Sequence, residues 1–162
     1  MQQPMRLGNM AKLLMILLIG LLHNEPAIAL DIISPNPKLQ PKNVVEIQLQ
    51  SLQRNDEPIP DAGIIQTWAF AHPNNRIMTG PIERFMLMIK SQNYKNMLNH
   101  RDHKIEPVLQ TNDRSQFAVS ITTSDDKKMT FKWELMKVQT GEFSGSWMTT
   151  SVSTPLLSGN AF

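Results

Sequence analysis

The densest cluster of side chains able to do chemistry is Asn-His-Arg-Asp-His at Asn99–His103. His100 and His103 are three residues apart, a spacing that on a helix directs both imidazoles to one side and could supply two ligands to a metal ion. A zinc site needs further ligands, and the sequence marks no third one. The cluster also lies where a helical pattern gives way to strands. We therefore interpret it as a solvated connection, and we expect no metal ion or other cofactor.

Acid–base catalysis by His72 is a second possibility. A catalytic histidine needs a carboxylate partner, for which Asp61 or Asp102 could serve, and a donor such as Tyr94 to stabilise a developing oxyanion. No spacing in the chain resembles a nucleophile elbow, a phosphate-binding loop or a paired-carboxylate motif. An enzyme is therefore the less favoured interpretation, and we assign no catalytic residue.

A binding pocket is the third possibility, because aromatic walls beside an arginine suit an amphipathic anion. Trp68 and Trp133 both fall on apolar stripes, so for these two core packing is the stronger interpretation. A small molecule and a protein partner are both open as the occupant. The candidate pocket residues are Trp68, His72, Arg76, Tyr94 and Trp147.

The first half of the chain, which must position these residues, has a helical pattern. Val45, Leu49 and Leu52 recur at helical spacing and predict a helix over Asn43–Asn55, with Gln48 on its solvent side.

Two prolines at positions 58 and 60 break this pattern. A second helix is predicted from Asp61, as its cap, to His72, with Pro73 ending it or bending the chain into a turn. Gly80-Pro81 marks the start of a third helix, and a short helical piece is predicted over Asn93–Asn99.

After His103 the apolar period changes from 3.6 to 2, which indicates strands. Apolar residues alternate through 117–121 and again through 129–135, so we predict a β-hairpin that pairs Ile121 with Phe131. Flanking strands at Lys104–Gln110 and Ser146–Val152 would complete a four-stranded antiparallel sheet. Helices followed by such a sheet predict an α+β domain, with the helices on one face of a curved sheet and a pocket between them.

Two segments carry a family resemblance: Trp-Ala-Phe-Ala-His-Pro at Trp68–Pro73 and Thr-Gly-Pro-Ile-Glu-Arg-Phe at Thr79–Phe85. They resemble an exported family known only as domain of unknown function number four-eight-six-four, over roughly Val44–Val152. That family is similar to the cone-shaped fold of nuclear transport factor two. The resemblance implies a cone with an internal pocket but no assigned chemistry, since such folds serve isomerases, dehydratases, binding modules and dimerisation modules.

The start of the chain predicts export. A weakly basic stretch precedes an apolar run at Leu13–Leu22, and Ala27-Ile28-Ala29 supplies the small residues of a cleavage site. Ten helical residues rise about 15 Å, roughly half of a bilayer's hydrocarbon core, so we expect cleavage and no stable membrane anchor. The predicted compartment is the periplasm or another extracytoplasmic space, such as the thylakoid lumen in a photosynthetic organism.

The predicted organisation is a signal peptide at 1–29, an extended leader at 30–41, one domain at 42–153 and a flexible tail at 154–162. The whole chain has a formal net charge of +2, and its basic and acidic residues are interspersed, so nucleic-acid binding is not expected. There is no cysteine, which excludes disulfides. We predict a non-catalytic exported protein that binds a small molecule or a partner; the alternatives are an isomerase-like or hydrolytic enzyme and a homodimerising assembly factor.

Overall fold

The computed structural model describes residues 29–156. The predicted signal peptide, apart from Ala29, lies outside the described residues, as do residues 157–162 of the predicted tail. None of the helices within residues 29–156 combines the length and the apolar character needed to cross a membrane.

Helices come first in the described chain and strands second, as predicted for an α+β domain. All strand pairs are antiparallel, in the order β1-β2-β3-β4. Both predicted flanking strands are present. The elements are α1 Pro41–Gln53, α2 Ala62–Ala69, α3 Pro73–Thr79, α4 Ile82–Ile89, a 3-10 helix Lys95–Met97, β1 Asp102–Gln110, β2 Arg114–Thr122, β3 Lys128–Lys137 and β4 Trp147–Val152.

The core lies between the helices and one face of the sheet. Pro41 occupies the first position of α1, where its missing N–H costs nothing, and the helix presents its apolar stripe to α2 and to the sheet. Each fully buried aliphatic or aromatic side chain contributes about 1.5–3 kcal/mol relative to exposure. Residues at the centre of the core include Val44, Val45, Leu49, Leu52, Phe70, Val119, Ile121, Phe131, Trp133 and Leu135.

The register predicted for the β2–β3 hairpin is wrong by two residues. Ile121 lies opposite Met129, and Phe131 lies opposite Val119. The loop sets this register: the Thr123 N–H donates to the Lys127 carbonyl, and the Thr123 hydroxyl accepts from the Lys127 N–H, both at 2.9 Å. Because side chains alternate with a period of two, an error of two residues leaves the predicted buried face unchanged.

The predicted second helix is corrected at its C-terminal end. It ends at Ala69 instead of His72, and Ala71 forms a single parallel bridge with Thr149 of β4. Pro73 does not end a helix but begins α3, since proline is well suited to a first helical position.

The cap predicted for that helix is also wrong. Asp61 precedes α2 in the left-handed conformation, with φ of 64°, and its side chain makes no capping hydrogen bond. Its carboxylate instead pairs with Lys90 at 2.6 Å, which links the start of α2 to the end of α4.

Both segments that flank the domain contact it. In the leader, the Ile33 N–H donates to Gln66 Oε1 at 2.8 Å and the Ile33 carbonyl accepts from Gln66 Nε2 at 2.9 Å. After β4, the Leu156 N–H donates to the Thr130 carbonyl at 2.8 Å, so the first residues of the predicted tail lie against the sheet.

Candidate functional site

A cavity of about 310 Å³ lies between the helices and the strands β3 and β4. Its size is at the lower end of the range for small-molecule sites. Its apolar wall consists of Leu52, Ala71, Met78, Phe85, Met88, Ile89, Met97 and Val152. The remaining lining residues are Gln48, Thr67, Asn75, Thr79, Tyr94, Trp133, Thr149, Thr150 and Ser151.

A larger and more open groove of about 700 Å³ lies between the leader and the α1–α2 pair. The leader itself forms one side of this groove through residues 29–33, so part of its volume is surface space beside a chain segment. The smaller cavity is the better candidate site, because helices and strands form its wall and buried polar groups meet there.

The polar part of the cavity wall is built around Gln48 of α1, which is 1% exposed. Gln48 Oε1 accepts from Thr149 Oγ1 at 2.7 Å and from Trp133 Nε1 at 3.2 Å. Gln48 Nε2 donates to the Thr67 carbonyl at 3.1 Å. One side chain thus connects α1, α2, β3 and β4.

The orientation of the Gln48 amide follows from its partners. An indole N–H can only donate and a carbonyl oxygen can only accept, so Oε1 must face Trp133 and Nε2 must face Thr67. One amide hydrogen of Gln48 is used in this way, and the second has no acceptor among the described residues. A ligand oxygen in the cavity could accept from it.

Tyr94 and Asn75 contribute further polar groups to the wall. The Tyr94 hydroxyl donates to the Val152 carbonyl at 3.2 Å, and Asn75 Nδ2 donates to the Thr149 carbonyl at 3.2 Å. Burial raises the pKa of Tyr94, so its hydroxyl stays protonated at neutral pH. Its oxygen lone pairs and Asn75 Oδ1 are acceptors without a donor among the described residues.

The residues that line the cavity carry no charge. They include no aspartate, glutamate, lysine, arginine or histidine, and Tyr94 is their single titratable side chain. An ionic ligand would lose its hydration there without gaining a counter-charge, which is costly in a buried site.

Of the five predicted pocket residues, Tyr94 is the one that lines the cavity. Trp68, His72 and Arg76 meet instead at the junction of α2 and α3. The Arg76 guanidinium lies 5.1 Å from the Trp68 ring centre and donates to the carbonyls of Trp68, Ala69 and Ala71, each at 3.0 Å. The Trp68 carbonyl also accepts from the Ala71 N–H at 3.0 Å, so Arg76 adds its donors to the turn that ends α2.

His72 has a structural position at the start of α3. It is the N-cap residue, and its Nδ1 accepts from the Asn74 N–H at 3.2 Å. Burial lowers the pKa of His72, which favours the neutral ring that this bond requires. Within the described residues neither Asp61 nor Asp102 bonds to it, so the considered acid–base pair is not assembled.

Trp147 is buried at the start of β4, away from the cavity lining. The Lys137 ammonium lies 5.0 Å from its ring centre.

His100 and His103 do come together, with His100 Nε2 2.9 Å from His103 Nδ1. No group of three or more histidine, aspartate or glutamate side chains in the part of the chain that the structure describes could hold a metal ion.

The comparison with family models matches residues 36–155 to a domain of unknown function (DUF4864). The match spans well over half of the 162 residues. The chain belongs to this family. No curated protein and no solved structure gives a significant match.

The two segments that carry the sequence resemblance both contribute residues to the cavity wall. In the first, the Phe70 carbonyl accepts from the Thr149 N–H and the His72 N–H donates to the Thr149 carbonyl, both at 2.8 Å. In the second, Gly80 ends α3 with φ of 81°, and Phe85 packs on Trp68 with ring centres 5.0 Å apart. The first segment therefore joins the end of α2 and the start of α3 to β4, and the second packs α4 against α2.

Gln48 and Thr149 were not predicted as site residues. Gln48 was assigned to the solvent side of the first helix, and this was wrong. Its spacing of three from Val45 and four from Leu52 places it on the apolar stripe, so the signal was present in the periodicity. A glutamine on such a stripe must find buried partners, which here come from the sheet.

Proposed function

We propose that this domain binds a small, uncharged and largely apolar molecule in the cavity between its helices and sheet. The observation that carries the proposal is the combination of an apolar wall with converging uncharged polar groups and no charged lining residue. Apolar surface would supply most of the affinity, and Gln48, Asn75 and Tyr94 would orient a hydroxyl or carbonyl group.

Binding is better supported than catalysis. General acid–base chemistry needs a group that changes protonation near the working pH. In the cavity the one titratable lining group is Tyr94, whose pKa is raised by burial. His72, the strongest sequence candidate for a catalytic base, has its Nδ1 engaged at the start of α3.

Assembly through the open sheet face has less support. On that face Gln116 of β2 donates to Glu134 of β3 at 2.9 Å, and Lys132 pairs with Glu134 at 3.1 Å. An interface built on this face would have to bury these charges, which is costly unless the partner matches them. A homodimer through another surface stays a prediction.

We also propose that the protein works outside the cytoplasm, in a periplasm or a thylakoid lumen. The support is the tripartite pattern of residues 1–29, which ends at Ala27-Ile28-Ala29. The proposed activity then suits a carrier or sensor of a small neutral compound in that compartment.

A native mass spectrum of protein purified gently from its own compartment tests the proposal. We expect a second species whose added mass is that of a small neutral molecule and which disappears on mild activation. Recovery of the bound molecule in organic solvent would then identify its class. A spectrum that shows empty protein alone, together with no binding of uncharged aromatic probes, would contradict the proposal.

A further inference from the structure

His100 and His103 form a hydrogen-bonded chain outside the cavity. His100 Nδ1 lies 2.7 Å from the Met97 carbonyl oxygen, and His100 Nε2 lies 2.9 Å from His103 Nδ1. His103 Nε2 lies 3.2 Å from Glu46 Oε1. The chain connects the segment before β1 to α1, and His100 is 2% exposed, so water has little access to its ring.

Both ends of this chain are acceptors. The Met97 carbonyl oxygen carries no proton, and the ionised Glu46 carboxylate carries none either. Three hydrogen bonds between these ends therefore require three ring protons. Two neutral imidazoles carry only two.

We propose that His100 and His103 share one additional proton, so that the pair carries a single positive charge opposite Glu46, and that loss of this proton opens the link between α1 and β1. Burial disfavours a charge on the His100 ring and lowers its pKa, and the Glu46 carboxylate lies against the other end of the pair.

Few other charges face the pair. Asp102 lies next to it in the chain and acts on His100 through its negative charge. Arg101 is paired with Asp126 in the β2–β3 loop, and Lys104 is paired with Glu106 along β1.

The neighbouring strand β2 and helix α1 add few charged groups near the histidine pair. On β2 the residue opposite His103 is the apolar Ile121. On α1, Gln50 Nε2 donates to Glu46 Oε1 at 2.9 Å and so holds the carboxylate in place. Among the described residues, Glu46 is the counter-charge in hydrogen-bonding contact with the pair.

Loss of the shared proton acts first on the contact with Glu46. With both rings neutral, His100 can still donate to Met97 and His103 can still donate to His100. His103 Nε2 then presents a lone pair to the carboxylate, and two acceptors repel each other. Glu46 lies on α1, which also carries the lining residue Gln48, and Met97 lines the cavity, so the link joins two elements that contribute to the cavity wall.

The test is a count of protonated ring nitrogens by long-range ¹H–¹⁵N NMR on the labelled protein, from about pH 5.5 to pH 9. We expect three protonated nitrogens in the pair at the low end and two at the high end. The loss should coincide with shift changes in the amides of α1 around Glu46.

The Glu46→Gln variant sharpens the test. An amide can donate to His103 Nε2, so all three hydrogen bonds can form with two ring protons. Without the carboxylate as counter-charge, we expect the third ring proton to be lost at a lower pH than in the wild type. Because the amide can accept from or donate to His103 Nε2, we expect no accompanying change in α1. Glu57→Gln, at an exposed carboxylate, should behave as the wild type.

Two results would overturn the proposal. One is a wild-type pair with two ring protons across the whole range. The other is a set of ring shifts that changes when a chelator is added, because a metal ion and not a proton would then join the rings.

Discussion

Thr149 Oγ1 donates to Gln48 Oε1 at 2.7 Å and thereby joins β4 to α1 across 101 residues of chain. The same hydroxyl accepts from Trp133 Nε1 at 3.1 Å. Gln48, Trp133 and Thr149 are each no more than 3% exposed, so loss of one partner leaves a buried polar group without its hydrogen bond. The pair is therefore the structural basis of the polar side of the cavity.

Thr149→Val should destabilise the protein by about 1–3 kcal/mol, because it removes one donor and one acceptor from a buried network while keeping the side-chain shape. Urea unfolding measures the loss. Thr140→Val, at an exposed threonine of the β3–β4 loop, is the matched control and should change stability by less than about 0.5 kcal/mol. Equal effects of the two changes would mean that the network contributes nothing.

Gly63→Ala should also destabilise the protein, although alanine is the better helix former by about 1 kcal/mol. A Cβ at position 63 would overlap the Ser51 carbonyl and would lie 2.9 Å from the Asn55 Cα, so α1 and α2 could not approach as they do. Overpacking of this kind typically costs about 1–3 kcal/mol. Thermal unfolding shows whether the variant is less or more stable than the wild type. A more stable variant would contradict the close approach of α1 and α2 at Gly63.

Arg76→Lys should lower stability by about 1–3 kcal/mol, because an ammonium cannot reproduce the planar set of donors that serves three carbonyls and stacks on Trp68. Arg84→Lys is the control, since Arg84 is exposed on the neighbouring helix. Chemical denaturation of both variants should show a loss of stability for Arg76→Lys and little change for Arg84→Lys. An Arg76→Lys variant as stable as the wild type would contradict this structural role.

His72→Asn should reduce the loss of stability in acid. Burial lowers the pKa of His72 in the folded state, so the unfolded chain binds a proton more readily. The contribution of His72 is present above the ordinary histidine pKa of about 6.5 and is lost as the pH falls through the lower folded value. Asparagine keeps the capping function and does not titrate. The midpoint of urea unfolding should therefore fall less between neutral and acidic pH in the variant than in the wild type. The same fall in both proteins would count against a buried neutral His72.

The buried face of the hairpin was predictable from sequence, whereas its register was not. Alternation of apolar residues defines a face because the period is two. The register depends on which residues close the loop, and the Thr123–Lys127 pair is decided by side-chain hydrogen bonds that periodicity does not encode.

The site was less predictable because residues suited to ligand binding can also serve the packing and hydrogen bonding of the fold. Trp68 and Arg76 have the chemistry of a binding pocket, yet Arg76 is used by the carbonyls at the end of α2, and that use follows from a helix end three residues earlier than predicted. Gln48 was recognisable on the apolar stripe of α1. Its partner Thr149 comes from a distant strand, and only the fold brings the two together.

The central claim is that the cavity admits an uncharged ligand, and NMR titration with 2-naphthol tests it most directly. The probe carries two fused aromatic rings and one hydroxyl, which match the apolar wall and the polar groups of Gln48, Asn75 and Tyr94. Met88→Trp should fill the cavity, whereas Leu87→Trp places the same ring at an exposed position on the same helix. We predict saturable shifts of cavity residues in the wild type and in Leu87→Trp, and their loss in Met88→Trp. Unchanged spectra in the wild type, or equal binding by both variants, would contradict the account.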